Sequence, residues 1–175
     1  MEINGLVKGI IEGLRVADAK TVAEVLLTKK DFSNLQSARV YAQRQLNLMV
    51  DLGQLIRGDG WYAVKGYRGE FQDHDRLLTK ALAEILKLNY ECQISREACW
   101  DSVGLRSDAV VLLKRGNDGL CFILEVVHNE TPVYLLMKKH AWLAWSGANE
   151  ALSKLFGYKI PHFSVITQEE ICLIQ

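Results

Sequence analysis

The chain has 175 residues, 49% of them hydrophobic and 24% charged, which is enough for one ordinary domain or two small ones with a real core. No apolar run approaches the roughly 20 residues that span a bilayer, and Met1-Glu2-Ile3-Asn4-Gly5 lacks the basic end and apolar core of a signal peptide, so no membrane association and a cytoplasmic location are expected. The formal net charge is zero, but residues 1–68 carry ten Lys/Arg against seven Asp/Glu and residues 69–175 carry eleven against fourteen, which makes the first part the more suited to face DNA.

Leu6, Ile10, Ile11 and Leu14 recur at helical spacing and predict a first helix over residues 5–16. A second starts near Thr21 and carries Val22, Val25 and Leu26. After the break at Lys29-Lys30-Asp31-Phe32-Ser33-Asn34, a long third helix runs over residues 35–51, with Ala38, Ala42, Leu46 and Met49 toward the core and Gln36, Arg39, Gln43 and Asn47 on the opposite arc. Gly53 ends it. Leu55-Ile56-Arg57, Gly58-Asp59-Gly60 and Trp61-Tyr62-Ala63-Val64 then read as strand, tight turn, strand. Three helices followed by a hairpin is the layout of a winged helix-turn-helix, with the third helix in the major groove of double-stranded DNA and the hairpin as the wing. Arginine binds guanine edges or phosphates and Gln or Asn pairs with adenine, so Gln36, Arg39, Gln43, Arg44 and Asn47 are fit to read DNA. Arg57, Lys65 and Arg68, at the base of the wing, are fit to hold phosphates. The solvated face of an ordinary amphipathic helix accounts for the same arc.

Gly66, Gly69 and Glu70-Phe71-Gln72-Asp73 make the best linker and divide the chain into domains over residues 1–68 and 69–175. A helix follows over residues 73–88, with Leu77, Leu78, Ala81, Leu82, Ile85 and Leu86 as its core face and Asp73 or Asp75 as its cap. Strands are predicted over residues 91–95, 108–113 and 121–127, the last two joined by a turn at Gly116-Asn117-Asp118-Gly119. Helices over 133–145 and 148–156 and a strand over 163–167 complete the chain. Helix, three strands, helix, strand is the core order of a restriction-endonuclease-like α/β domain, and the whole chain reads as α+β.

Asp108 heads one strand and Glu125 ends its hairpin neighbour, so antiparallel pairing brings two carboxylates together. Converging carboxylates bind Mg²⁺, which polarises a scissile phosphate and lowers the pKa of an attacking water. Glu84 or Glu97 is available as a third. The lysine expected two residues beyond the glutamate is missing, because Val127 stands there, but Lys138 or Lys139 in the next helix can bring the cation. His128, close to Glu125, and His140 fit a general base or ligand, whereas His74 and His162 read as helix-start and loop residues. Trp142 and Trp145, near helical spacing with Leu135 and Leu136, read as core. Cys92, Cys99, Cys121 and Cys172 show no Cys-x-x-Cys spacing and lie in or beside apolar runs, which predicts reduced core cysteines rather than a zinc site.

Several of these segments together resemble the replication-relaxation proteins of plasmids and integrative elements, over nearly the whole chain. They are the winged-helix start, His74-Asp75-Arg76-Leu77, Leu105-Arg106-Ser107-Asp108-Ala109, and Leu124-Glu125-Val126-Val127-His128-Asn129-Glu130-Thr131 ahead of a lysine-bearing aromatic helix. Members show Leu-Arg-Pro-Asp-Ala and Glu-x-Asp-Arg-Gly-Thr-Glu segments. Here Ser107 replaces the proline and Val127 the aspartate, while Asp108 and Glu125 carry over. The resemblance implies a DNA-associated role in replication, relaxation or transfer of a mobile element, with replication or mobilisation proteins as partners. Together these features predict a duplex DNA-binding protein, a homodimer if its sites are palindromic, whose nuclease-like domain is degenerate. An active Mg²⁺-dependent endonuclease or nickase using Asp108, Glu125 and Lys138 or Lys139 is one alternative. A protein-interaction adaptor that binds no DNA is another.

Overall fold

The computed structural model describes residues 3–69, 71–88, 90–116, 118–128 and 130–173. Met1 and Glu2, Glu70 of the expected linker, Asn117 of the expected turn and Asn129 lie outside the described residues, as does the side chain of Cys172. The fold is mixed α and β and divides into two compact units, residues 1–89 and 90–175. Among the described residues no helix is long and apolar enough to cross a membrane.

The first unit runs α1 (Ile3–Leu14), β1 (Val16–Ala17), α2 (Ala19–Lys29), α3 (Leu35–Asp51), β2 (Leu55–Arg57), β3 (Tyr62–Val64) and α4 (Asp73–Lys87). Asp18 starts α2 by accepting from the Thr21 amide at 2.7 Å, and Asn34 with Ser37 forms a reciprocal capping box at the head of α3. α3 buries Ala38, Ala42, Leu46 and Met49, the residues its spacing predicts. β2 and β3 form the expected hairpin, and β1 joins it on the far side of β3, giving an antiparallel sheet in the order β1-β3-β2. At two residues, β1 is too short to show alternation in sequence.

The segment expected as a linker is packed. Phe71 is 6% exposed and lies against Val16 and Ala63. Its amide donates to the Tyr67 hydroxyl at 3.1 Å, and its carbonyl accepts from Arg76 Nε at 2.9 Å. These contacts hold Phe71 at φ +53°, a left-handed conformation that costs a non-glycine residue about 1 kcal/mol. α4 continues in the same unit, burying Leu78, Ala81, Leu82 and Ile85, while Thr79 donates to the Val16 carbonyl at 2.9 Å and Lys87 lies 3.5 Å from Glu24. The chain therefore divides into its compact units after residue 89 rather than after 68, and the helix expected to open the second belongs to the first. Nor does Asp73 or Asp75 occupy the cap of α4: Gln72 does, and Asp75 instead accepts from the Tyr67 hydroxyl at 2.6 Å.

The second unit contains β4 (Glu91–Arg96), β5 (Cys99–Trp100), β6 (Leu105–Arg106), β7 (Ala109–Arg115), β8 (Asp118–Glu125), α5 (Pro132–Ala144), α6 (Ala148–Phe156) and β9 (Phe163–Thr167). Its sheet has the order β4-β7-β8-β9, antiparallel through the first three strands and parallel between β8 and β9, so α5 and α6 form the crossover. β5 and β6 extend the β4–β7 hairpin past a bend. There Glu97, at φ +53°, donates its amide to the Asp108 carbonyl, and Ser107 donates to the Ala98 carbonyl, both at 3.0 Å. An interruption of this kind re-aims a strand end, and Asp108 sits on it.

One face of the sheet packs Val110, Leu112, Cys121 and Ile123 against Trp142, Ala148 and Leu152. Trp142 is fully buried, with Trp100 at 4.9 Å edge-to-face and Trp145 at 5.9 Å between ring centroids, so the tryptophans are core as expected. Cys121 is buried, and burial pushes its thiol up to about 12; Cys92 is half-buried. Cys99, contrary to expectation, is exposed and donates to Asp101 at 2.9 Å.

Phe71 should anchor the strap between the hairpin and α4. Phe71→Ala is expected to lower the stability of the first unit by about 3 kcal/mol, the usual range for deleting a buried aromatic ring, measured by urea unfolding. A change within 0.5 kcal/mol, the scatter of a surface substitution, would mean the strap is not held by its side chain.

Candidate functional site

The register of the sheet brings the two acidic residues together. Ala109 pairs with Leu124, so one step further along the ladder Asp108 stands opposite Glu125, on the face where cross-strand side chains are neighbours. Asp108 Oδ2 accepts from the Val126 amide at 2.7 Å, which ties the bend to the end of β8. Glu125 is 2% exposed. It continues the inward row of Cys121 and Ile123, so its carboxylate lies at the end of an apolar core.

That carboxylate is met by Lys138, whose Nζ is 2.5 Å from Glu125 Oε2. The partnership follows from helical geometry. Lys138 is four residues before Trp142, so the two share the inward face of α5; the indole packs on the sheet core and the ammonium reaches the end of the same row. Lys139 is turned about 100° away and pairs with Glu170 at 2.9 Å, while Glu170 accepts from the amide and hydroxyl of Thr167. Of the two lysines that the sequence leaves open, Lys138 is in the site and Lys139 fastens α5 to the segment after β9.

Burial pushes the Glu125 carboxyl up to about 7; the hydrogen bond and charge of Lys138 oppose that rise, and the Asp108 carboxylate adds to it. The other Glu125 oxygen, Oε1, is buried and receives no hydrogen bond among the described residues. Asp108, Glu125 and Lys138 line one cleft of about 510 Å³ with Arg106, Glu130, Tyr134, Met137 and Ala141. Glu130 has no role that the sequence motif alone assigns. It accepts from the His128 amide at 2.7 Å and lies on the cleft, whereas His128 itself is exposed and does not line it.

The remaining candidates fall elsewhere. Glu84 belongs to the first unit and pairs with Lys87 at 2.6 Å. Glu97 shares the backbone bend with Asp108 but lines a separate cleft with Cys99 and Lys154. His140 is exposed on the outward face of α5. At Val127, where a lysine is missing, the backbone is held at both ends by Gln168, whose side chain accepts from the amide at 2.7 Å and donates to the carbonyl at 3.0 Å.

In the first unit the polar arc of α3 separates into two groups. Gln36, Arg39 and Arg44 are exposed, as are Arg57, Lys65 and Arg68 on and after the hairpin. Gln43 and Asn47 are engaged structurally: Gln43 donates to the Tyr62 hydroxyl, which donates to Asn47 Oδ1 at 2.7 Å, so both amides clamp the hairpin to α3. Arg57 lies over the Tyr62 ring at 5.8 Å. The outward surface of α3 is also more apolar than a reading arc alone requires, since Val40 and Leu48 are 42% and 46% exposed.

Comparison with models of protein families, with curated proteins and with solved structures gave no match.

A carboxyl held near 7 in the native protein and near 4.5 when unfolded keeps its proton where the unfolded chain has lost it. Stability due to Glu125 is therefore fully present below about pH 4.5 and is lost as pH rises through about 7. Relative to Glu125→Gln, which cannot titrate, the wild type is expected to lose up to about 3 kcal/mol across that window, read from urea unfolding at several pH values. A difference that stays flat with pH would show that Glu125 is ionised throughout.

Proposed function

We propose that the chain is a DNA-acting protein in which the first unit is a winged helix that holds duplex DNA and the second is a restriction-endonuclease-like domain with a metal-dependent phosphodiesterase centre. The observation that carries this is the pairing of Lys138 with buried Glu125 opposite Asp108 in a single cleft. The sequence alone favours a degenerate site because Val127 replaces the lysine. A cation delivered from α5 removes that objection.

Two carboxylates lining one cleft suit Mg²⁺: Asp108 and Glu125 would be its protein ligands, with water and substrate phosphate completing the shell, as is common for this ion. The described residues contain no group of three or more His, Cys, Asp or Glu that could hold an ion. The orphaned Oε1 of Glu125 is the kind of buried acceptor such an ion would satisfy. A bound Mg²⁺ supplies polarisation of the phosphate and acidification of water at that point. Lys138 favours the ionised form of Glu125 and brings positive charge to the phosphate side of the cleft. Strand order supports the domain reading in part: an antiparallel run of β4, β7 and β8, then a helical crossover to parallel β9, follows the predicted order of strands and crossover, although the opening helix α4 lies in the first unit. In the first unit, β1 pairs with β3 and adds a third strand to the hairpin. On the motif resemblance, the DNA acted on belongs to a mobile element undergoing replication, relaxation or transfer.

A plasmid nicking assay with Mg²⁺ or Mn²⁺ tests the centre. Wild type should nick, Asp108→Ala, Glu125→Ala and Lys138→Ala should each lose about 100-fold or more, and Lys139→Ala should keep its activity. Intact plasmid throughout, with DNA binding retained, would return the second unit to a scaffold role.

Duplex binding followed over increasing salt tests the first unit. Phosphate contacts predict a steep fall in affinity, and Arg39→Ala or Arg57→Ala should each reduce the slope of log affinity against log salt by about 0.9 if the residue contacts a phosphate. Absence of duplex binding at low salt would favour the protein-only adaptor instead.

A further inference from the structure

We infer that the cleft of the second unit receives a nucleotide whose base is unpaired, at a strand end, a flap, a gap or within a single strand, and not one stacked inside continuous duplex. This deepens the phosphodiesterase reading and rests on it. The cleft is lined by an ionic set, Asp108 and Glu125 from the sheet with Lys138 reaching them, and by an exposed stripe of α5, the helix that carries Lys138. Thr131 and Pro132 start that helix, and Thr131 accepts from the Tyr134 amide at 3.3 Å, so Tyr134 stands in the first turn at the rim. Tyr134, Met137 and Ala141 follow at helical spacing and share the cleft with Lys138. Tyr134 is 52% and Met137 67% exposed, so neither is spent on the core.

An aromatic ring and a thioether beside two carboxylates suit a ligand that is apolar on one side and anionic on the other. A nucleotide has that division. Within a duplex the base faces are hidden in the stack, and the surfaces on offer are phosphate, sugar and groove edges; an apolar stripe would then face a hydrated backbone and strip it of water without return. An unpaired base instead presents its face to Tyr134 and Met137 while its phosphate points toward the ionic set. Arg106, exposed on β6 and lining the same cleft, makes no ion pair among the described residues and provides a cation for a flanking phosphate. The cleft, at about 510 Å³, is within the size range of small-molecule sites and has room for one nucleotide.

The test uses the full chain in two assays. In the first, one labelled strand is offered with Mn²⁺ as single strand, as continuous duplex and as duplex with a gap. Wild type should cut the single-stranded and gapped forms about tenfold or more faster than the duplex, the size of one base stack; Tyr134→Ala should abolish the preference and Tyr134→Phe, which keeps the ring, should retain it. In the second, a short single strand carrying 2-aminopurine is titrated without metal, and its fluorescence should change on binding to wild type and Tyr134→Phe but not to Tyr134→Ala. Equal cutting of all forms, unaffected by Tyr134→Ala, overturns the inference and leaves the phosphodiesterase reading in place. If no DNA is cut, that reading fails, and the 2-aminopurine titration still decides whether a base enters the cleft. If Tyr134→Ala changes the sedimentation of the protein and not the fluorescence, the stripe docks a second copy and the inference is wrong.

Discussion

A carboxylate at the end of an apolar row must have a cation or give up its charge, and in the second unit that constraint falls on Glu125. Burial raises its pKa and Asp108 raises it further, while Lys138 acts in the other direction. The cation is therefore part of what makes an ionised site possible at neutral pH. Because it comes from α5, the electrostatics of the cleft depend on how that helix docks. Trp142 sets the docking: fully buried, in contact with both flanking tryptophans, and one helical turn from Lys138. Packing and charge are thus two readings of one helix face.

The first unit obeys a different constraint, that the hairpin has little core of its own. β2 and β3 are three residues each, too small to stand alone in water. They are held by β1 on one edge, by the Tyr62 hydroxyl bonded to Gln43 and Asn47, and by Phe71 folded over Val16 and Ala63. Two polar residues of α3 are used in this attachment. What remains outward on the helix is Gln36, Arg39 and Arg44 among exposed apolar side chains, a smaller reading surface than the sequence arc suggested.

Long periodic elements were legible in the sequence because burial writes itself at fixed intervals: α3, α6 and β9 have the predicted bounds, and the β7–β8 hairpin follows from its turn. Short elements were not. β1, β5 and β6 have two residues each and exist only through pairing with a distant strand. Residues 66–73 read as a linker because glycine and acidic residues dominate there, but a single buried phenylalanine and a tyrosine hydroxyl outweigh that composition. In the site, Asp108 and Glu125 were found from their strand ends. The choice of Lys138 over Lys139 was available in the spacing to Trp142, whereas the part of Glu130 depends on the course of the loop after β8 and had no such signal.

Val127 is then less a loss than a change of support. A lysine two residues beyond Glu125 would have to extend from the strand end itself, and here that stretch is fixed by its backbone: Gln168 bonds both the amide and the carbonyl of Val127, while Asp108 holds the amide of Val126. The stretch after Glu125 is held by its backbone, with no part required of the Val127 side chain. Moving the cation to α5 frees position 127 and ties the charge of the cleft to the helix whose other edge carries Tyr134 and Met137. The same helix then carries Lys138, Tyr134 and Met137, so the cation and the apolar side chains of the cleft are positioned together instead of by separate loops.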